Sequence, residues 1–419
     1  MRRGEQGVKN YVIIGNGVAA AGCIEGIRSV DTKGSITVIS AENHPVYCRP
    51  LISYYLEQKT DLKRMCYRNE TFYEDQNVNV IYGRTADEIH ADTKEIALDN
   101  GDKYPYDALC VCTGSSPFVP PMQGLDTVQN AFSFMTVDDT LALEKAVTPE
   151  SKVLIIGAGL IGLKCAEGLH QRVQSITVCD LAPRVLSSIL DDKCAAMMQK
   201  HLEQNGIRFL LGNSAKAFQG NRAVMHNGET VDFDVLVLAV GVRANTAIVK
   251  HAGGNINRGI IVDDACKTSL PEIYAAGDCT EYHDVSSDTV KVMALMPNAY
   301  MQGHTAGVNM AGGTACFDNA IPMNSIGFFG LHCHTAGAQP DGCEMFEESD
   351  DLHIKRLFVK DDKLVGFMLL GQIHRTGIYT ALIRNQTPLS TVNFERLKAE
   401  PQLAAMSAAY RDKVLKGAV

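Results

Sequence analysis

The chain has 419 residues, a net charge of −9 and 21% charged residues, which suits two or three globular domains with sizeable cores. No block of lysine and arginine stands out, so nucleic-acid binding through a basic surface is excluded. No apolar run reaches the length of a membrane span. The 13 cysteines form no Cys-x-x-Cys pair. They fit a reducing cytoplasm better than a disulfide scaffold, and argue against a metal site of the iron–sulfur or zinc-ribbon kind.

In chain order, the basic start Met1-Arg2-Arg3-Gly4 precedes an apolar stretch from Tyr11 and mimics a signal peptide. The stretch reads better as a strand and a glycine turn. Tyr11-Val12-Ile13-Ile14 suits a buried parallel strand. It runs directly into Gly15-Asn16-Gly17-Val18-Ala19-Ala20, a helix to about Ser29 and a second strand at Ile36–Ile39, and Glu42 follows 22 residues after Ala20. The same succession returns with Val153–Ile156, Gly157-Ala158-Gly159-Leu160-Ile161-Gly162, a helix to about Arg172 and a strand at Ile176–Cys179. Asp180 then lies 18 residues after Gly162. A later pair also repeats: Asp107–Gly114 and Asp234–Gly241 each read as a buried strand stopping at a glycine. Two related α/β units are expected.

In such a motif the first glycine permits the tight turn and the second lets the backbone approach a pyrophosphate. The third, where alanine is tolerated, allows close helix–strand packing. The phosphate sits at the helix N-terminus, and the later acid accepts from ribose hydroxyls. The first candidate set is therefore Gly15, Gly17, Ala20 and Glu42. The second is Gly157, Gly159, Leu160, Ile161, Gly162 and Asp180, joined by Gly241. Asp180 would repel a 2′-phosphate, which favours NAD; Arg184 nearby keeps NADP as the weaker alternative.

Four further segments carry a resemblance. They are Cys112-Thr113-Gly114-Ser115 ahead of Pro117 and Pro120-Pro121, Thr268–Cys279 with its Gly277-Asp278 end, Met296–Gly303, and His44–Ser53. With the glycine turns, they resemble the two-dinucleotide flavoproteins, also called pyridine nucleotide–disulfide oxidoreductases. The nearest branch is that of rubredoxin and ferredoxin reductases and the flavin–NADH portion of nitrite reductase. The resemblance implies an α/β fold with two Rossmann-like domains plus a smaller α+β C-terminal domain. It implies an FAD-binding domain from residues 1–120 and 244–320, an NAD-binding domain at 121–243, and a C-terminal interface or dimerisation domain at 321–419. It places Thr113, Gly114 and Asp278 on FAD, with Asp278 on the ribityl chain. It sets the helix start around Ala299 against the flavin ring, and Arg49 and Pro50 beside the flavin.

Departures from the family narrow the chemistry. The paired redox cysteines of its disulfide reductases are missing. Cys48 stands roughly where a single-cysteine branch keeps its thiol, and neighbouring Arg49 would lower its pKa. The residues after it fit the electron-transfer reductases instead. Lys164 replaces a glutamate common in relatives near the nicotinamide; it reads as an attractor of an acidic partner, a tuner of the flavin, or a surface helix residue. His332-Cys333-His334 offers only two ligands on one strand face, short of a structural metal site. The segment from Asn393 to Val419 has helical spacing at Leu397, Leu403, Met406 and Tyr410, for packing on the body or docking a subunit.

The expected function is an FAD-containing NADH:acceptor oxidoreductase that passes electrons to a rubredoxin- or ferredoxin-like carrier or to catalytic subunits of a larger complex. A homodimer is compatible with it. One alternative is an NADH oxidase, peroxidase or coenzyme A-disulfide reductase working through Cys48. Another is a non-catalytic flavoprotein with a binding or regulatory role.

Overall fold

The structure is a computed structural model that describes residues 8–416. The chain opens with β1 (Asn10–Ile14), α1 (Val18–Val30), β2 (Ser35–Ser40), β3 (Val78–Tyr82) and β4 (Ala108–Val111). A second series follows: β5 (Ala131–Phe132), α2 (Val137–Ala146), β6 (Lys152–Ile156), α3 (Leu160–Leu169), β7 (Ser175–Asp180), α4 (Asp192–Gln204), β8 (Ile207–Leu211) and β9 (Val235–Leu238). The chain then returns through β10 (Ile273–Ala275) and α5 (Met296–Met310). It ends in β11 (Met323–Phe328), β12 (Leu331–Gly337), β13 (Glu344–Ser349), β14 (Ile354–Lys360), β15 (Lys363–Leu370), α6 (Gly377–Arg384) and α7 (Phe394–Ala399).

Two five-stranded parallel sheets share one plan. The first has the order β10-β4-β1-β2-β3, the second β8-β7-β6-β9-β5. In each, the strand before the glycine turn lies in the interior of the sheet, which explains its unbroken apolar run. Two short strands, Ser115–Pro117 and Val242–Ala244, pair antiparallel where the chain leaves the first sheet and comes back.

Helices α1 and α5 pack backbone to backbone. A Cβ on Gly22 would overlap the Tyr300 carbonyl oxygen, and one on Gly303 that of Ala19; Gly26 and Gly307 repeat the relation one turn on. Glycine four residues apart on both helices is what this approach requires.

The third unit is an antiparallel sheet in the order β11-β12-β15-β14-β13. α6 and α7 cover one face, burying Leu357, Leu364, Phe367, Tyr379, Leu382 and Leu397 together. From its other face a single apolar cluster extends to the second parallel sheet. It joins Phe328, Cys333, Phe358 and Leu370 to Val153, Ile155 and Val178, and takes in Ile52 and Leu56 from the short helix Ile52–Leu56.

The C-terminal segment differs from the single helical spacing expected of it. Glu400 is extended ahead of Pro401, which cannot continue a helix. The chain resumes as a turn at Leu403–Ala405 and a helix at Ala408–Lys416. Leu397 and Met406 are buried, whereas Leu403 points outward.

Candidate active site

The two loops of the first candidate set and those carrying Thr113 and Asp278 all leave the carboxyl edge of the first sheet. Gly277-Asp278 follows β10, Thr113-Gly114 follows β4, the Gly15 turn follows β1 and Glu42 follows β2, so sheet order places them side by side. Gly15 has φ +103, and a Cβ there would overlap the Cys112 carbonyl oxygen. Its amide donates to the Ile39 carbonyl at 2.8 Å. Gly17, by contrast, has nothing within 4 Å of an added Cβ. It begins α1 in extended conformation, with no side-chain cap and no acid in the first turn.

The second sheet repeats this construction. Gly157 has φ +117 and presses on the Ala239 carbonyl oxygen, and its amide donates to the Cys179 carbonyl at 2.7 Å. Gly159 and Gly241 face open space, and α3 starts at Gly159 without a side-chain cap or first-turn acid. An added Cβ on Gly162 would meet the Gly157 carbonyl oxygen, so the third glycine is required by packing. Leu160 and Ile161 form the half-buried first turn of α3 and pack against the core. Asp180 accepts from the Ala158 amide at 2.7 Å and the Ala182 amide at 2.8 Å. These bonds aim its carboxylate across the glycine turn.

Both turns thus present free helix N-termini behind open glycines, the physical requirement for cradling a pyrophosphate. At the first of them, Glu42 is already engaged. Tyr47 Oη donates to Glu42 Oε2 at 2.6 Å, and the Arg49 guanidinium ion-pairs with Oε1. Tyr47 Oη also accepts from Arg49 at 3.0 Å and from the Val137 amide at 3.2 Å, at the start of α2. Arg49 reaches the Met135 carbonyl as well. Pro50 sits exposed in a single turn of 3₁₀ helix.

Asp278 is held behind the edge of the sheet, and burial pushes its carboxyl above the usual value against the pull of Arg49. Gln302 fixes this turn: its Oε1 accepts from the Gly277 amide at 2.7 Å and the Thr280 hydroxyl at 3.0 Å. Ala299, on the same helix, is buried, and Pro297 lies in the first turn. Asn245 brackets Thr113: its Nδ2 donates to the Thr113 carbonyl while Thr113 Oγ1 donates to the Asn245 carbonyl, both at 2.8 Å. Tyr47, Gln302 and Asn245 escaped the sequence reading. Only Gln302 had a local signal, lying four residues from Asn298 on a shared buried face.

Three sequence expectations are corrected here. Arg49 does not lower the Cys48 thiol: it turns to Glu42, and burial pushes Cys48 up. The Cys48 sulfur contacts Met296 Sδ at 3.8 Å. Lys164 is not a surface residue and is not presented to an acidic partner. Its ammonium is mostly buried in an ion pair with Glu167, donates to the Gly327 carbonyl at 3.2 Å and lies 4.8 Å from the Tyr54 ring centre. His332 and His334 do not share an environment: His332 is exposed, whereas His334 is buried with Nδ1 2.5 Å from Thr376 Oγ1. Among the described residues no three metal-ligating side chains come together, and all thirteen cysteines are free.

The pyridine nucleotide-disulphide oxidoreductase family model matches residues 9–303, and the chain belongs to that family. By its description that family consists of oxidoreductases that work with a pyridine nucleotide. A nitrite reductase [NAD(P)H] of Bacillus subtilis is 29% identical over 426 residues, covering 98% of this chain and 52% of that protein. The chain thus spans about half the length of this relative. The epsilon subunit of the NADH-dependent phenylglyoxylate dehydrogenase of Aromatoleum evansii is 29% identical over 402 residues, 93% of this chain and 95% of the subunit. Among solved structures, the covalent putidaredoxin reductase–putidaredoxin complex matches with a TM-score of 0.86 at 21% identity, covering 94% of this chain and 96% of that one. That likeness concerns the fold. No described helix is long and apolar enough to cross a membrane.

Proposed function

We propose that this chain is an NADH:acceptor reductase that receives electrons from NADH at FAD and delivers them to another protein. In this reading the two parallel sheets are Rossmann-like domains. Residues 1–120 and 244–320 hold FAD, residues 121–243 hold NADH, and residues 321–419 form the interface domain. The observation that carries it is the twofold glycine turn, closed behind by a strand carbonyl and open ahead of an uncapped helix.

Gly15, Gly17 and Ala20 would cradle the FAD pyrophosphate, with Thr113 and Gly114 on the neighbouring loop and Asp278 on the ribityl hydroxyls. Glu42, oriented by Tyr47, would take the ribose. Arg49 and Pro50 would lie beside the flavin, and the α5 N-terminus around Ala299 would favour electron-rich flavin. Gly157, Gly159, Leu160, Ile161, Gly162 and Gly241 would hold NADH, and Asp180 selects against a 2′-phosphate. Bound flavin accepts a two-electron reductant and can release electrons singly, which the protein exploits by orienting the reactants.

Transfer onward to a protein is favoured because Cys48, the thiol weighed for redox chemistry, is not activated. The Cys48 thiol is raised and set against Met296. The acceptor class is a rubredoxin- or ferredoxin-like carrier or the catalytic subunits of a complex. The relative named as a subunit of an NADH-dependent dehydrogenase supports that choice. Two copies would pair through the C-terminal sheet, which sedimentation of the holoprotein tests.

Anaerobic NADH should bleach the flavin of the FAD-loaded protein, and NADH should outperform NADPH. A flavin that stays oxidised sinks the reading. The Cys48→Ser variant should keep full NADH-dependent turnover; its loss would move the activity to the oxidase, peroxidase or coenzyme A-disulfide reductase class.

A further inference from the structure

One buried cation stands where the three units meet. Lys164 lies two residues beyond Gly162, on the helix that the second glycine turn starts. Its ammonium lies 4.8 Å from the ring centre of Tyr54, which belongs to the short helix following Arg49 and Pro50, and 5.4 Å from that of Phe328, the last residue of β11. It donates to the carbonyl of Gly327 at 3.2 Å. Its carboxylate partner is Glu167, one helical turn further along α3.

Glu167 extends the grip. Its Oε1 accepts from the Phe329 amide at 2.6 Å, at the tip of the β11–β12 hairpin, where Phe329 takes the left-handed conformation with φ 47. Two histidines of the second unit hold the same tip. The His170 ring packs edge-on against Phe329, with centroids 5.0 Å apart. His201 Nε2 lies 3.1 Å from the Phe328 carbonyl and 3.2 Å from that of Phe329. The hairpin tip is therefore held by α3 and α4, and Lys164 also reaches the first unit at Tyr54.

We propose that Lys164, with Glu167, is a positioning pair for hydride transfer: it sets the angle of the second unit against the first, using the C-terminal hairpin as its abutment. The inference rests on the reading that the first unit holds FAD and the second holds NADH. A pin on α3 moves with the glycine turn at that helix's start, so a small rotation at Lys164 displaces the dinucleotide as a whole. Transfer between two bound groups is steeply sensitive to such displacement, and a shift of about 1 Å can cost roughly a hundredfold in rate. A cation stacked on aromatic rings and paired with a carboxylate holds an angle more stiffly than apolar contact does.

Removing the lysine alone would strand Glu167 as a buried charge, so the decisive variant is the double change Lys164→Met with Glu167→Gln. Glutamine keeps an acceptor for the Phe329 amide, and methionine keeps the packing volume on Tyr54 and Phe328. The holoprotein is mixed anaerobically with NADH, and flavin reduction is followed at several NADH concentrations. The expected result is an NADH Kd within about threefold of the parent, a limiting reduction rate at least about tenfold lower, and an unchanged flavin content. The single change Lys164→Arg, which keeps charge and ring stacking, should recover most of the rate. A double variant that folds, binds FAD and is reduced at the parent rate overturns the proposal. So does a loss of NADH affinity that accounts for the whole effect. If the parent protein itself is not reduced by NADH, the functional reading fails first, and that outcome is distinguishable from either.

Discussion

The Tyr47 hydroxyl donates to Glu42 at 2.6 Å while accepting the first amide of α2, from Val137, at 3.2 Å. One phenol thus connects the acid of the first glycine unit to the opening helix of the second. Because Tyr47 is buried, its hydroxyl cannot be replaced by solvent without rearrangement.

Tyr47→Phe leaves the Val137 amide without its acceptor and removes one donor from Glu42. An unsatisfied buried group costs about 1–3 kcal/mol. Urea unfolding should show a loss of that size, and titration of the apoprotein with FAD should show weaker binding. Unchanged stability together with unchanged FAD affinity would remove Tyr47 from the site.

The two glycines of the second turn should respond in opposite ways. Gly157→Ala forces a side chain into φ +117 and onto the Ala239 carbonyl. A loss of about 2–3 kcal/mol in unfolding free energy is expected. Gly159 has φ −84 and open space around it, so Gly159→Ala should stay within about 0.5 kcal/mol of the parent. Its methyl group instead occupies the face that approaches the pyrophosphate. NADH affinity, read by flavin-reduction titration, should fall about tenfold, or about 1.4 kcal/mol.

The α1–α5 contact predicts loss where helix propensity predicts gain. Alanine exceeds glycine by about 1 kcal/mol in a helix interior. At Gly22 and Gly303, however, a methyl group meets backbone carbonyls that no rotamer change can move. Overpacking costs about 1–3 kcal/mol or more, so Gly22→Ala and Gly303→Ala should each lower the unfolding midpoint. Together they should cost less than their sum, since separating the helices once accommodates both.

His334 gives stability a pH dependence of known sign. Burial holds its imidazole below the ordinary value, while the unfolded residue titrates near about 6.5. On acidification the unfolded chain takes the proton first. This contribution is therefore complete above about pH 6.5 and is lost as pH falls towards and through the folded value. Urea midpoints of the parent and of His334→Gln, measured between about pH 7.5 and 5, should converge as the pH drops. Parallel curves would show that His334 is not the group responsible.

Much of this was legible in the chain because the signals are local. Tyr11–Ile14 and Val153–Ile156 are apolar runs that stop at a glycine, and both became interior strands. Glu42, Asp180 and Asp278 could be placed at the carboxyl edges because Asp180 ends its strand and the other two follow theirs within a few residues. Tyr47, Asn245 and Glu167 could not, because their partners Val137, Thr113 and Phe329 lie 90, 132 and 162 positions away. The burial of Lys164 was hidden for the same reason: a lysine on an amphipathic helix reads as solvated until Phe328 and Tyr54 close over it. Pro401, like Gln302, was a local signal passed over, and it broke the C-terminal helix as its chemistry requires.

The pairing of Ser115–Pro117 with Val242–Ala244 has a modular consequence. Neighbouring strands lie about 4.8 Å apart, so the chain enters and leaves the segment between them through a single narrow neck. Material connected in that way can be lengthened or exchanged without stretching the backbone of its host, provided the face packed on Ile52 and Leu56 is kept. A short turn joining the two strands would close the first sheet on itself, because Thr113 and Gly277-Asp278 are anchored by Asn245 and Gln302, both outside that segment. Gene fusion and domain exchange between members of such a lineage would find this neck a ready crossover point.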